Sequence, residues 1–193
     1  MYETHSNRSI KPPYSFEKKE HVEQLFGEGY ELKVFQGTIA AWGVRGRGNC
    51  DDPYTKKSEI QHVRILGPIR SLTQVEISKT DSFALGVKAP IRSSGNIEGT
   101  PGITIIGPRG EMNVDHGVII AERHIHMTTD DAAAFGVRDG QYVSVKVLGE
   151  RGLIFFNQVL IRVKDTYALD MHIDTDEANA AGLKSGDTVE LLL

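Results

Sequence analysis

The sequence predicts a mainly β protein, built as a barrel or a sandwich with a few short helices. Two observations carry this prediction: apolar or alternating runs of about 4 to 10 residues follow residue 60, and glycine turns such as Asp139-Gly140 separate them. A third is a repeated pattern that combines a short helix, a glycine stop and a strand. The runs predicted as strands are His62–Leu66, Gln74–Ser78, Gly102–Ile106, Gly117–Ala121, Tyr142–Leu148, Leu153–Val163 and Thr188–Leu192.

The repeated pattern occurs in Thr80–Lys88, Asp130–Arg138 and Asp176–Lys184. Each copy starts with a Thr or Asp suited to a helix N-cap and ends near a glycine suited to a left-handed C′ position. The second and third copies continue through a tight turn into a strand. The repeat therefore favours duplicated barrels that each carry a short capping helix, although any corner between a helix and a strand recruits such residues.

The N-terminal third has a different pattern. His21–Leu32 has Val22, Leu25 and Phe26 at helical spacing and glycines near its end, which predicts one helix. The flanking segments 9–19 and 33–57 contain prolines, glycines and aspartates without a regular period, so no helix or strand is assigned there.

Composition places the chain among ordinary globular proteins. It has 193 residues, with 22 Lys and Arg against 26 Asp and Glu, which gives a net charge of −4. This balance argues against a nucleic-acid partner held by phosphate neutralisation. No run approaches the roughly 18 apolar residues of a membrane span. Cys50 is the sole cysteine, and the first residues do not resemble a signal peptide, so we expect a reducing cytoplasm and no membrane partner.

A His-x-His pair, which on its own is a weak signal, is the starting point for a candidate metal site. His124 and His126 follow an apolar strand-like run, and on a strand their side chains point to one face because the side-chain period is two. Imidazole suits Zn²⁺, which takes four N, S or carboxylate ligands. His172 and Glu76 are candidates for the remaining two positions, and Asp174 shares a face with His172. The alternative interpretation is a solvated strand face without a metal.

Arginines near the predicted strands suggest an anion. Arg64 and Arg70 flank a Gly-Pro turn, and Arg92 precedes Ser93-Ser94-Gly95. A guanidinium matches the geometry of phosphate, and a metal beside it would hold the same anion. The alternative is that these arginines only contribute to solubility.

Four motifs in order resemble the phosphate propanoyltransferase family, the PduL-type phosphotransacylases associated with propanediol-utilising bacterial microcompartments. The motifs are Gly67–Ser78, Gly99–Thr104, Ile119–Met127 and Met171–Ala181. The resemblance runs from Ser58 to the C-terminus. It implies two β-barrels with short capping helices. Residues 9–121 would form the central barrel, and residues 1–8 with 122–193 would form the second barrel.

The resemblance also implies the site residues and the reaction. An acyl-CoA, with a propanoyl or acetyl group, and inorganic phosphate would be converted reversibly to acyl phosphate and free coenzyme A. Arg70 matches the arginine that contacts phosphate. By position, one zinc would be bound by Glu76, His124, His126 and His172, and coenzyme A would be contacted by Ser6, Arg64, Leu66 and Asn179.

Two segments depart from the family pattern. Ser9 and Lys11 stand where histidines would bind a second zinc, and neither is a good zinc ligand, so we expect one intact zinc site and an impaired second one. Segment 33–57 also departs. A compensated frameshift is one explanation, because Gly46–Thr55 can be encoded so that a shifted reading gives a strand-like family sequence, whereas no equally clean shifted reading is found for Ser9–Phe16. The alternatives to an active phosphotransacylase are an impaired homologue that still binds coenzyme A or a microcompartment partner, and a one-zinc hydrolase. The resemblance is also consistent with a homodimer, with microcompartment proteins as partners and with a location inside a microcompartment.

Overall fold

The computed structural model describes residues 2–4, 14–15, 19–30, 39–46, 59–65 and 73–193, and these residues form a mainly β fold. Their strands are β1 (Tyr2–Thr4), β2 (Tyr14–Ser15), β3 (Ile39–Arg45), β4 (Glu59–Ile65), β5 (Gln74–Glu76), β6 (Ile91–Arg92), β7 (Ile103–Ile106), β8 (Glu111–Val114), β9 (Val118–Ala121), β10 (His124–Met127), β11 (Tyr142–Gly149), β12 (Gly152–Val163), β13 (Asp170–His172) and β14 (Asp187–Leu192). The helices are α1 (Lys19–Phe26), α2 (Lys79–Ala84), α3 (Thr129–Phe135) and α4 (Thr175–Ala181). None of the helices in these ranges is long and apolar enough to span a bilayer.

The chain divides into two compact units. One unit consists of Lys11–Ala121, and the other combines Met1–Ile10 with Glu122–Leu193. In the Lys11–Ala121 unit, an eight-stranded sheet has the strand order β6-β9-β5-β2-β4-β3-β7-β8. Helix α1 contributes its apolar face, including Leu25, to the core of this unit, where it packs with strand residues such as Val75 and Ile103. The apolar spacing of α1 and the alternating strands therefore build one shared core.

The other unit, which we call the histidine unit because it contains the three candidate metal-binding histidines, has a six-stranded sheet. Its strand order is β1-β14-β11-β12-β10-β13. The two edge strands, β1 and β13, also lie close to each other, so the sheet curls strongly. Alternate residues of its strands point inward, and Val145, Val159 and Ile161 are fully buried there. Closure of either sheet into a complete barrel stays a prediction.

Strands cover all seven of the runs from which they were predicted, with small shifts at the ends. The sequence patterns did not predict β2 and β3, which lie in segments where no element was assigned, or β6, β8 and β13. Helix α1 ends at Phe26, earlier than predicted, because Gly27 and Gly29 adopt positive φ angles of 106° and 73° and stop the helix.

The three repeats are helices, but their N-caps lie two residues before the positions predicted. The caps are Ser78, Thr128 and Asp174, and each forms a capping box with the third helical residue. The predicted caps Thr80, Asp130 and Asp176 instead occupy the second helical position, where the helix dipole favours the two acidic side chains. The predicted glycine stops are confirmed, with φ of 66° at Gly86, 68° at Gly136 and 67° at Gly182.

Candidate metal centre

Strands β10 and β13 bring three histidines together on one face of the histidine unit. The strands pair antiparallel, with His124 opposite His172 and Ile125 opposite Met171. Ile125 and Met171 are buried in the core, so the alternating histidines point to the opposite face. His126 lies two residues after His124 and shares its face, as the sequence predicted.

The three imidazoles are close enough to bind one ion. One ligand nitrogen from each of His124, His126 and His172 lies within 4.8 Å of the other two. The ring centroids are 4.7 Å apart for the first pair, 4.9 Å for His124 and His172, and 4.6 Å for His126 and His172. Histidines on a solvated strand face without a metal have no reason to bring their ring nitrogens this close together. The geometry therefore favours a metal site over a solvated strand face.

The environment of His124 prepares it as a ligand. Its Nδ1 lies 2.8 Å from the backbone carbonyl oxygen of Glu122, and a carbonyl only accepts, so Nδ1 carries the proton and donates it. Nε2 therefore keeps a lone pair for a metal. Burial lowers the pKa of His124, which favours the neutral imidazole that coordination requires. The Nε2 atom of His126 is buried as well, and its ring stacks on Tyr167 with centroids 3.9 Å apart.

Asp170, which the sequence patterns did not single out, lies beside the histidines. It is opposite His126 in the register of β10 and β13, and its Oδ2 lies 3.5 Å from Nε2 of His172. The signal was present, because Asp170 precedes His172 by two residues and must share its face. Asp174, which was considered instead, caps α4 by accepting a hydrogen bond from the backbone of Glu177.

The donor set fits zinc. Three imidazoles supply the nitrogen ligands that zinc prefers, and a tetrahedral ion would have one further position for a carboxylate, water or substrate. A histidine that binds zinc usually has its other ring nitrogen held by a carbonyl or carboxylate, as is seen at His124. The described residues therefore support three of the four predicted ligands as one cluster.

Glu76, the fourth predicted ligand, lies on β5 in the Lys11–Ala121 unit. Its Oε1 accepts a 2.6 Å hydrogen bond from Nε2 of Gln74, and Gln74 also bonds to Ser94 and to the backbone of Gly95. Gln74 thus fixes the carboxylate relative to a loop, a role that sequence reasoning missed although the two residues share a strand face. Coordination by Glu76 stays a prediction.

The three repeats show a further regularity at their strand ends. Glu76, His126 and His172 each stand two residues before the N-cap of the helix that follows. The residue between them and the cap is apolar and buried in every copy. The same strand-to-helix corner therefore carries, at one equivalent position in all three repeats, a side chain of a type that can bind a metal.

The structure describes only some of the residues predicted to bind coenzyme A, an anion or the second zinc. Asn179 lies on α4, its carbonyl accepts a hydrogen bond from Gly182, and it is exposed. Arg64 lies on β4. Arg92, proposed for an anion, is exposed and donates to the carbonyl of Ile91. Five predicted positions lie outside the described residues, namely Arg70, Ser6, Leu66, Ser9 and Lys11.

Comparison with known proteins gives a consistent assignment. A family profile described as phosphate propanoyltransferase matches residues 16–184. A phosphate propanoyltransferase of Thermotoga maritima is 51% identical over 175 residues, which covers 90% of this chain and 82% of that protein. The phosphate propanoyltransferase of Lachnoclostridium phytofermentans is 49% identical over 178 residues, which covers 90% of this chain and 81% of that protein. The one of Sebaldella termitidis is also 49% identical, over 173 residues, which covers 88% of this chain and 80% of that protein. The chain belongs to the phosphate propanoyltransferase family, as the four motifs indicated, and is an enzyme of the transferase class.

Proposed function

We propose that the protein is a zinc-dependent phosphate acyltransferase that moves a propanoyl or acetyl group reversibly between coenzyme A and inorganic phosphate. In the forward direction a phosphate oxygen attacks the thioester carbonyl carbon and the carbon–sulfur bond breaks. The electron pair leaves with the sulfur of coenzyme A, which takes up a proton from solution. The convergence of the three histidines in a chain of this family is the observation that supports the metal dependence.

The zinc would be bound by His124, His126, His172 and Glu76. When bound, such an ion supplies positive charge that stabilises the negative charge developing as the thioester is attacked. The protein's own contribution is orientation, because the Glu122 carbonyl fixes the tautomer of His124.

The substrates would be held by residues that the family resemblance assigns. Arg70 would bind phosphate through its paired N–H groups and hold it against the carbonyl, since phosphate is a poor nucleophile unless it is positioned. Coenzyme A would be contacted by Ser6, Arg64, Leu66 and Asn179. The exposed position of Asn179 on α4 is compatible with contact to a large soluble substrate.

We also propose how the sheets close, how the protein assembles and where it acts. Each sheet would close into a β-barrel, with barrels of residues 9–121 and of 1–8 with 122–193, and the approach of β1 to β13 supports closure of the second. A cytoplasmic homodimer, alone or with microcompartment proteins, is the expected assembly. With Ser9 and Lys11 at the second metal site, we expect one zinc per chain.

The test combines metal counting with a transfer assay. The purified chain should contain about one zinc and release coenzyme A from propanoyl-CoA or acetyl-CoA only when phosphate is present. His126→Ala should lose the zinc and reduce turnover by at least about a hundredfold, since removal of a charge-stabilising metal costs several kcal/mol of barrier. His116→Ala, at an exposed position, is the matched control and should retain both.

Each alternative gives a different result. Release of coenzyme A without phosphate would indicate a hydrolase. Zinc and coenzyme A binding without turnover would indicate the impaired homologue, although the relatives named as transferases favour an active enzyme. Two zinc ions per chain would contradict our interpretation of Ser9 and Lys11.

A further inference from the structure

Strand β12 carries an arginine beside the histidine cluster. Strands β10 and β12 pair in parallel, with His126 opposite Arg162 and Ile125 opposite Ile161. Ile161 is fully buried, so Arg162, the next residue, points to the same face as the histidines. Neighbouring strands are only about 4.8 Å apart, which an arginine side chain easily spans.

The face therefore has an ordered row of three charged or metal-ligating groups. Across β12, β10 and β13 the row reads Arg162, His126 and Asp170. The neighbouring row contains Leu160, His124 and His172 in the same order. One end of the cluster is thus cationic, and the opposite end is acidic.

The charge of Arg162 is not neutralised by the part of the protein that the structure describes. Its guanidinium forms no ion pair with any described carboxylate, whereas Arg123, adjacent to His124, forms a 2.8 Å ion pair with Glu177.

A guanidinium beside a dication is electrostatically unfavourable unless an anion lies between them. The three neutral imidazoles contribute no charge, and one negative charge each from Asp170 and the proposed ligand Glu76 would still leave zinc and Arg162 with a net positive charge. A phosphate group, with oxygens for both the metal and the guanidinium fork, is the anion whose chemistry fits this place. An acyl phosphate has the same group and would be held in the same way.

We propose that Arg162 is a second phosphate-binding arginine, which holds the phosphoryl oxygens of inorganic phosphate or of the acyl phosphate at the histidine cluster. This inference rests on the proposed function for its substrates. It adds to Arg70 a residue that neither the motifs nor the sequence analysis selected.

The test uses the zinc-loaded enzyme with Arg162→Gln, Arg162→Lys and, as matched control, Arg151→Gln in the exposed turn between β11 and β12. The dissociation constant for inorganic phosphate, measured by calorimetry without acyl-CoA, should rise roughly tenfold to a hundredfold in Arg162→Gln. The KM for phosphate should rise similarly, while the KM for acyl-CoA should stay within about twofold. Arg162→Lys should recover part of the loss, because it restores the charge but not the fork.

The readouts separate the two proposals. A phosphate dissociation constant unchanged in Arg162→Gln, with normal turnover by the parent, would overturn this inference and leave the proposed function intact. Loss of zinc or of folding in both Arg162 variants, seen by metal counting and thermal unfolding, would also overturn it, since the arginine would then be structural. If the parent binds phosphate through Arg162 but transfers no acyl group, the inference is upheld and the proposed function fails.

Discussion

Two corners of the histidine unit have the same design and different surroundings. In one, β10 leads from His126 through Thr128 into α3, and in the other, β13 leads from His172 through Asp174 into α4. Both helices start with a capping box. In α3 the hydrogen bonds of Thr128 lower the pKa of the box carboxylate Asp131.

In α4 the corresponding carboxylate lies in a different environment. Burial raises the pKa of Glu177, although the nearby Arg123 opposes this effect. Arg123 directly precedes β10, so its 2.8 Å ion pair with Glu177 connects α4 to the strand that carries His124. The same capping motif thus serves only a helix in the first corner, whereas in the second it also connects the two strands of the candidate metal centre.

The largest effect should follow from changing the third corner, between β5 and α2. Glu76 occupies the position equivalent to His126 and His172, so Glu76→Gln should remove a charged ligand and lower zinc affinity and turnover at least about a hundredfold. Metal analysis after dialysis against a chelator and the transfer assay measure this. Glu98→Gln, an exposed glutamate of the same unit, should behave as the parent. If Glu76→Gln kept all of its zinc, the three corners would be equivalent only in their backbone structure, and Glu76 would not be a ligand.

Asp170 tests the difference between the two histidine corners. Two residues before the candidate ligand stands His124 in the first corner and Asp170 in the second. If Asp170 orients His172, Asp170→Asn should weaken zinc binding about 10- to 100-fold, as removal of supporting carboxylates generally does. Competition with a chromogenic chelator measures the affinity, and Asp130→Asn on α3 is an exposed control. An unchanged affinity would mean that the 3.5 Å approach to His172 has no role in coordination.

The sequence was sufficient for the features that depend on local spacing. The strand period placed His124 and His126 on one face, and the glycines that end α3 and α4 were recognisable because a left-handed φ favours glycine. The helix starts were placed two residues late, since Thr and Asp favour both the N-cap and the first helical turn. Ser78, Thr128 and Asp174 become distinguishable as caps only through the reciprocal hydrogen bonds of the capping box.

Contacts between distant strands could not be read from spacing. Arg162 is 36 residues from His126 along the chain, and only the parallel register of β10 and β12 makes them neighbours. Strand β13 has three residues, too few for a period to be recognised, so Asp170 was not selected although its offset from His172 was visible. The alternating strand made Glu76 a candidate ligand, and the family resemblance then assigned it to the same zinc as the three histidines.

A smaller effect is expected from the cap of α3. Thr128→Ala removes the side-chain acceptor for the backbone N–H of Asp131 and should lower the free energy of unfolding by about 1 kcal/mol. Urea unfolding of the zinc-loaded protein measures the change, and zinc content should not change. Thr188→Ala at an exposed position of β14 is the comparison variant. Loss of zinc in Thr128→Ala would show that the first corner, like the second, is coupled to the metal centre.

The smallest effect is the pH dependence of the two box carboxylates, which should have opposite signs. The pKa of Glu177 is raised in the fold, so its contribution to stability is complete below the unfolded value of about 4.5 and is lost as the pH rises through the folded value. The pKa of Asp131 is lowered, so its contribution is present above about 3.8 and is lost as the pH falls through the folded value.

Urea unfolding at pH 7, 5, 4 and 3 measures both effects. Glu177→Gln should gain less stability than the parent on acidification. Asp131→Asn should instead lose less stability than the parent as the pH falls from 4 to 3, by a few tenths of a kcal/mol because solvent screens this group. Titration of the histidines is common to the parent and both variants and cancels in the differences, so equal pH profiles for all three proteins would contradict the contrast between the two corners.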